Sequence, residues 1–189
     1  MRLFVGVELD ERVREAAAVI AESLRRELGA RVDARWIPSS NLHITLSFLG
    51  EVDESRAKRV IGALERQFGE RPFEMALEGL GAFPSSGAPR VFWLGVTDGA
   101  ASLSRLNHEL AARLEPIGFQ PEQRAFSAHL TIARVREVLG GAPSRDIRLL
   151  LRTLPGYAGR CRIQAVTLFR SHLSPKGATY EALLRVPLK

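Results

Sequence analysis

NLHITLSFLG, residues Asn41–Gly50, and SAHLTIARV, residues Ser127–Val135, write His-x-Thr-hydrophobic twice in one chain. In a β-strand successive side chains alternate faces, so His43 and Thr45 project to the same side with Cα atoms roughly 6.6 Å apart. Leu42, Ile44, Leu46 and Phe48 are then expected on the opposite side, in a core. The second copy has the same parity, with His129 and Thr131 on one face and Leu130 and Ile132 on the other. A lone histidine on the polar face of a half-buried strand is usually only solvated or hydrogen-bonded. Strand propensity accounts for the threonines but not for two histidines in matching places, which point to one shared cleft.

Outward from the motifs the order of elements repeats. Leu3–Leu9 reads as a buried strand, and Asp10 as the N-cap of a helix in which Val13, Ala17, Ile20, Leu24 and Leu28 recur at helical spacing until Gly29 stops it. The segment 36–41 reads as a loop leading into the first motif strand. Asp53 caps a second helix through about Phe68; Phe73–Leu80 and Arg90–Val96 read as strands joined by the turn-rich PSSGAP. A helix over Ala101–Leu114, a Gly/Pro loop, the second motif strand, a helix over Ser144–Leu154, and strands over Arg162–His172 and Thr179–Pro187 around the turn SPKGA complete the chain. Each half is therefore helix, motif strand, helix, strand, strand. A single domain spanning residues 1–189, made of two interlocked lobes, is expected.

A chain of 189 residues can bury roughly two thirds of its extended surface without a metal or disulfide. Lys and Arg number 27 against 21 Asp and Glu, a net charge of +6 that favours polyanions such as RNA. The one cysteine, Cys161, cannot close an internal disulfide, the apolar run after Met1 is too short for a signal sequence, and no window approaches a membrane span, so a cytoplasmic protein with no membrane partner is expected.

Two imidazoles facing one cleft can hold one neutral and one protonated ring near neutral pH and so serve as base and acid. Threonine hydroxyls can donate hydrogen bonds to an oxyanion. Neither histidine is accompanied by His-x-His, Cys-x-x-Cys or clustered carboxylates, so no metal site is expected. The absence of a GxxxxGK loop disfavours nucleoside triphosphate hydrolysis. His108 reads as a helix-surface residue, and His172, at a strand end, as either close to the cleft or without a role. A second reading of the same residues is a basic RNA-binding module that grips a terminal phosphate without turnover, with Trp36 or Phe126 as a stacking surface. Packing in the core or cleft wall is the commoner fate of such aromatics, and intact histidines in both motifs favour turnover.

RLFVGVEL, RWIPSSNLHITLSFLGEV, GAFPSSGAPRVFWLGV, FSAHLTIARV and LFRSHLSPKGATYEALLRVPL together resemble the two-histidine phosphoesterases, and within them the RNA 2′,3′-cyclic phosphodiesterase family, historically called 2′-5′ RNA ligase. The resemblance spans nearly the whole chain. It implies an α+β fold of two pseudo-twofold-related lobes, with antiparallel sheets lining a central cleft and helices outside. It also implies hydrolysis of an RNA terminal 2′,3′-cyclic phosphate to a 2′-phosphate without a metal or other cofactor, with 2′-5′ ligation as a possible minor activity. The partner implied is RNA or an oligonucleotide bearing that end, met by a chain expected to be a monomer. The resemblance assigns catalysis to His43 and His129 and phosphate binding to Thr45, Thr131 and Arg134. His129 is favoured as base and His43 as acid, with the reverse left open by the near symmetry. Arg134 lies at an odd offset from His129, so a regular strand would turn it away from the cleft; a bulge near Ala133 is needed for it to reach the phosphate.

Overall fold

A computed structural model of the chain describes residues 1–120, 124–141, 143–175 and 177–189. Lys176 of the expected SPKGA turn and residues 121–123 of the Gly/Pro loop lie outside the described residues. The elements are β1 (Arg2–Glu8), α1 (Glu11–Leu28), β2 (Val32–Trp36), β3 (His43–Glu51), α2 (Glu54–Leu64), β4 (Phe73–Phe83) and β5 (Val91–Val96). They continue with α3 (Ala100–Leu114), β6 (His129–Val138), α4 (Ser144–Thr153), β7 (Gly159–Ile163), β8 (Ala165–Ser174) and β9 (Gly177–Pro187). Both expected N-caps form: Asp10 accepts from the Val13 amide at 2.8 Å and Asp53 from the Arg56 amide at 2.7 Å, each satisfying an amide the helix leaves unpaired.

The fold is α+β, and its strands form one antiparallel sheet in the order β7-β4-β5-β6-β3-β1-β8-β9, with β2 alongside the far part of β6. The two motif strands meet at the centre through a single rung, Ile44 opposite Leu130. Either side of that rung is a four-strand lobe, β3-β1-β8-β9 and β6-β5-β4-β7. The lobes are not the sequence halves. Strands β4 and β5 follow the first motif but flank the second, whereas β8 and β9 follow the second and build on β1 beside the first. Helices cross over too: α1 precedes β3 but packs against β6 and β7, and α3 precedes β6 but packs against β3.

One hydrophobic cluster runs through both lobes, with Val5, Val7, Ile44, Leu130 and Ile132 on the helix-facing side of the central strands and fully buried. Each large aliphatic side chain removed from water there contributes about 1.5–3 kcal/mol. Cys161 belongs to this packing, its thiol pushed up to about 11 by burial.

Three sequence expectations are corrected. Val32–Trp36 is a strand that the sequence reading left out, although Val32, Ala34 and Trp36 alternate as a short strand should. The single strand expected over Arg162–His172 is two, broken at Gln164, because β7 pairs with β4 in one lobe and β8 with β1 in the other. Phe48, expected in the core, is 54% exposed on the opposite face.

Candidate active site

Antiparallel pairing at Ile44–Leu130 sets Thr45 opposite His129 and His43 opposite Thr131, so the four polar motif residues bracket one rung on the face away from the helices. Thr45, His129, Thr131 and Arg134 line a cleft of about 640 Å³ with an aromatic rim that includes Phe48, Phe83 and Phe126. His43 sits one step behind Thr45, stacked on Phe4 at 4.7 Å between centroids and met edge-on by Tyr180 at 5.2 Å.

Both imidazoles are anchored alike. His43 Nδ1 lies 2.7 Å from the Asn41 carbonyl oxygen, and His129 Nδ1 lies 2.7 Å from that of Ser127, in each case two residues upstream. A carbonyl can only accept, so Nδ1 carries the proton and the neutral ring presents a bare Nε2 lone pair. The two Nε2 atoms differ in company. That of His43 lies 3.0 Å from Thr45 Oγ1, whereas that of His129 has no partner among the described residues. Burial is the main cause that pushes both rings below the ordinary imidazole value; the anchoring carbonyls oppose it, and the Arg134 charge adds to the lowering.

Arg134 reaches the cleft because β6 bulges. Trp93 of β5 is opposite Thr131, and the next residue back, Phe92, is opposite Ala133, so Ile132 is an extra residue and the parity flips. Consecutive burial of Ile132 and Ala133 marks the same step. Strand β3 has the matching irregularity against β1: Gly6 is opposite Thr45 and Val5 opposite Ser47, leaving Leu46 extra. The two bulges fall at the same distance from their histidines, so Phe48 occupies in one lobe the place that Arg134 occupies in the other. The sequence reading missed Phe48 as a cleft residue by applying strict alternation through the bulge.

Of the remaining candidates, Phe126 joins the site while Trp36, His108 and His172 do not. Trp36 stacks toward Phe92 at 6.3 Å and packs against the core. Phe126 lines the cleft. His108 lines a neighbouring cavity along α3, and the His172 ring is hydrogen-bonded to Glu181 at 2.7 Å. In the basic run of α4, Arg148 donates to the carbonyls of Pro84 and Gly87 at 2.8 and 2.9 Å, pinning the β4–β5 loop at the cleft rim. Among the described residues no three His, Cys, Asp or Glu side chains are grouped to hold a metal.

A family model described as LigT-like phosphoesterase matches the chain twice, at residues 7–93 and 94–180. The chain belongs to the LigT-like phosphoesterase family. The boundary between the two matches falls inside β5, a few residues before the order of elements starts again at α3. Among LigT-like relatives, the RNA 2′,3′-cyclic phosphodiesterase of Archaeoglobus fulgidus is 35% identical over 187 residues, covering 97% of this chain and 98% of the relative. A crystal structure of a Thermus thermophilus protein superposes with a TM-score of 0.80 at 32% identity, covering 100% of this chain and 98% of that one. The Escherichia coli LigT complexed with 3′-AMP gives 0.75 at 25% identity, covering 99% and 97%.

Proposed function

We propose that this protein hydrolyses the terminal 2′,3′-cyclic phosphate of RNA to a 2′-phosphate by acid and base catalysis from its paired histidines. RNA 2′,3′-cyclic phosphodiesterase is the activity named for relatives that match 95–97% of the chain. The observation that carries the mechanism is the bracketed rung: two Nδ1-anchored imidazoles and two threonines on one face, with Arg134 brought to them by a bulge.

Water attacks phosphorus in line as His129 Nε2, which no side chain occupies, takes its proton. The phosphorus bond to the 3′-oxygen breaks, and that oxygen takes a proton from Nε2 of protonated His43, the atom that lies 3.0 Å from Thr45 Oγ1 in the free protein. Thr45, Thr131 and Arg134 face the non-bridging oxygens and stabilise the charge that builds there. The aromatic rim gives the terminal base a surface on which to stack. A 5′-hydroxyl in place of water would yield a 2′-5′ linkage by the same proton transfers; water at high concentration makes this the minor outcome.

The reading is tested by turnover of an RNA ending in a 2′,3′-cyclic phosphate in excess chelator. Turnover should persist, and His43→Ala or His129→Ala should each lower kcat by roughly 10²–10⁴-fold. Dependence on added divalent metal, or binding without product, would contradict it.

A further inference from the structure

Arg35 of β2 and Arg134 of β6 are direct cross-strand partners in the antiparallel pairing of those strands. Their sequence neighbours, Ala34, Trp36, Ala133 and Val135, all pack against the core, so both arginines project to the cleft face, where both are exposed. Directly opposed residues of an antiparallel pair stand about 4.5–5.5 Å apart at Cα, and like charges placed so are destabilising. One step outward the sheet resolves this conflict: Arg136 is paired with Asp33 at 3.6 Å. At the cleft end it does not. Among the described residues neither Arg35 nor Arg134 has a carboxylate partner.

The Arg35 side chain is also placed. A Cβ at Gly177, the first residue of β9, would lie 3.0 Å from Arg35 Nη2, which puts the guanidinium against the β8–β9 hairpin of the other lobe. Asn41 Nδ2 ties the same hairpin down by donating to the Ala178 carbonyl at 2.6 Å. Two guanidinium groups without carboxylate partners among the described residues, carried on directly paired positions and one of them close enough to depress both catalytic imidazoles, make a site for more than one negative charge.

We propose that Arg35 forms a second anion subsite, next to the one at Arg134, that binds the phosphodiester on the 5′-oxygen of the terminal nucleotide. This rests on the cyclic phosphodiesterase reading above, in which Arg134 holds the cyclic phosphate. The next negative charge on such an RNA is the 5′-phosphodiester of the same ribose. A nucleoside 2′,3′-cyclic phosphate lacks it, so Arg35 makes the enzyme select polynucleotide ends over free cyclic mononucleotides.

The test compares adenosine 2′,3′-cyclic phosphate with its 5′-phosphorylated counterpart and with a dinucleotide ending in the same group, using wild type, Arg35→Gln and Arg35→Lys. Arg35→Gln should raise KM for the two substrates that carry a 5′-phosphate by about tenfold at unchanged kcat, as expected for loss of one charge-assisted contact. It should leave the unphosphorylated substrate unaffected and lower the salt dependence by about one unit of slope. Arg35→Lys should restore part of the loss. Equal loss on all three substrates, or loss on none, overturns the subsite. Calorimetric titration with adenosine 2′-phosphate and adenosine 2′,5′-bisphosphate reads the subsite without turnover: the bisphosphate should bind more tightly to wild type but not to Arg35→Gln. If no substrate turns over yet that preference holds, the catalytic reading fails and the subsite stands; without the preference, the subsite fails.

Discussion

In the proposed mechanism, protonation of two imidazoles sets the pH at which this site works. Burial holds both below the ordinary 6.5, with the Arg134 charge adding to it against the pull of the carbonyls on Nδ1–H. In the free protein both rings are therefore neutral near pH 7, whereas the mechanism needs one of them protonated. The profile of kcat/KM, which reports the free enzyme, should be a bell centred below pH 6.5. The anionic substrate favours the protonated ring, so the profile of kcat should lie at higher pH. Arg134→Gln removes a nearby positive charge and should move the kcat/KM bell upward while weakening substrate binding; a bell that stays in place would show that Arg134 does not act on the histidines. The same lowered values give the sign for stability. Unfolded rings bind protons that folded ones refuse, so this contribution holds above about pH 6.5 and is lost as pH falls through the lowered values.

At the scale of the element, the matched bulges in β3 and β6 decide which side chains join the histidines. The grouping of His43, Thr45, His129 and Thr131 on one face was legible by parity, and Arg134 entered through resemblance. The bulge that Arg134 needs to reach that face is present at Ile132. Phe48 was not legible, because a bulge depends on register against a neighbouring strand, and alternation along one strand carries no trace of that register. Strand β2 was missed for a related reason: five residues with one alternating apolar face are weak against the loop-like Pro38, Ser39 and Ser40 that follow. The β1–β3 register also explains Gly6, which is opposite Thr45. A Cβ there would lie 2.6 Å from the Ile44 carbonyl oxygen and 3.4 Å from His43 Cδ2. Backbone must move to admit it, so Gly6→Ala should cost about 1–3 kcal/mol, or roughly 2–4 °C in Tm per kcal/mol for a chain of this size. It should also lower kcat, since the strand that moves carries His43. Thermal melts and kinetics on the same preparation check this, and an unchanged Tm would contradict the packing described.

For the whole molecule, the repeat seen in the sequence is real but its halves are interleaved. The order helix, motif strand, helix, strand, strand was readable from hydrophobic period, because that pattern is local. Which lobe each strand joins was not, because pairing between strands far apart in the chain leaves no local mark; the break at Gln164 that sends β7 and β8 to opposite lobes is the clearest case. Since β4 and β5 complete the lobe of β6, and β8 and β9 that of β1 and β3, neither half can cover its own motif strand. Fragments of residues 1–97 and 98–189 expressed separately should therefore lack a cooperative melt and activity, and a folded, melting half would contradict the interlocked domain.

Phosphorus NMR of the reaction mixture reads whether two histidines on either side of one β-rung open a 2′,3′-cyclic phosphate at its 3′-oxygen. With an RNA ending in a 2′,3′-cyclic phosphate, in chelator, a 2′-phosphate product is expected from the wild type and from neither His43→Ala nor His129→Ala. A 3′-phosphate product, or a 2′-phosphate still formed at the wild-type rate by either variant, would contradict it.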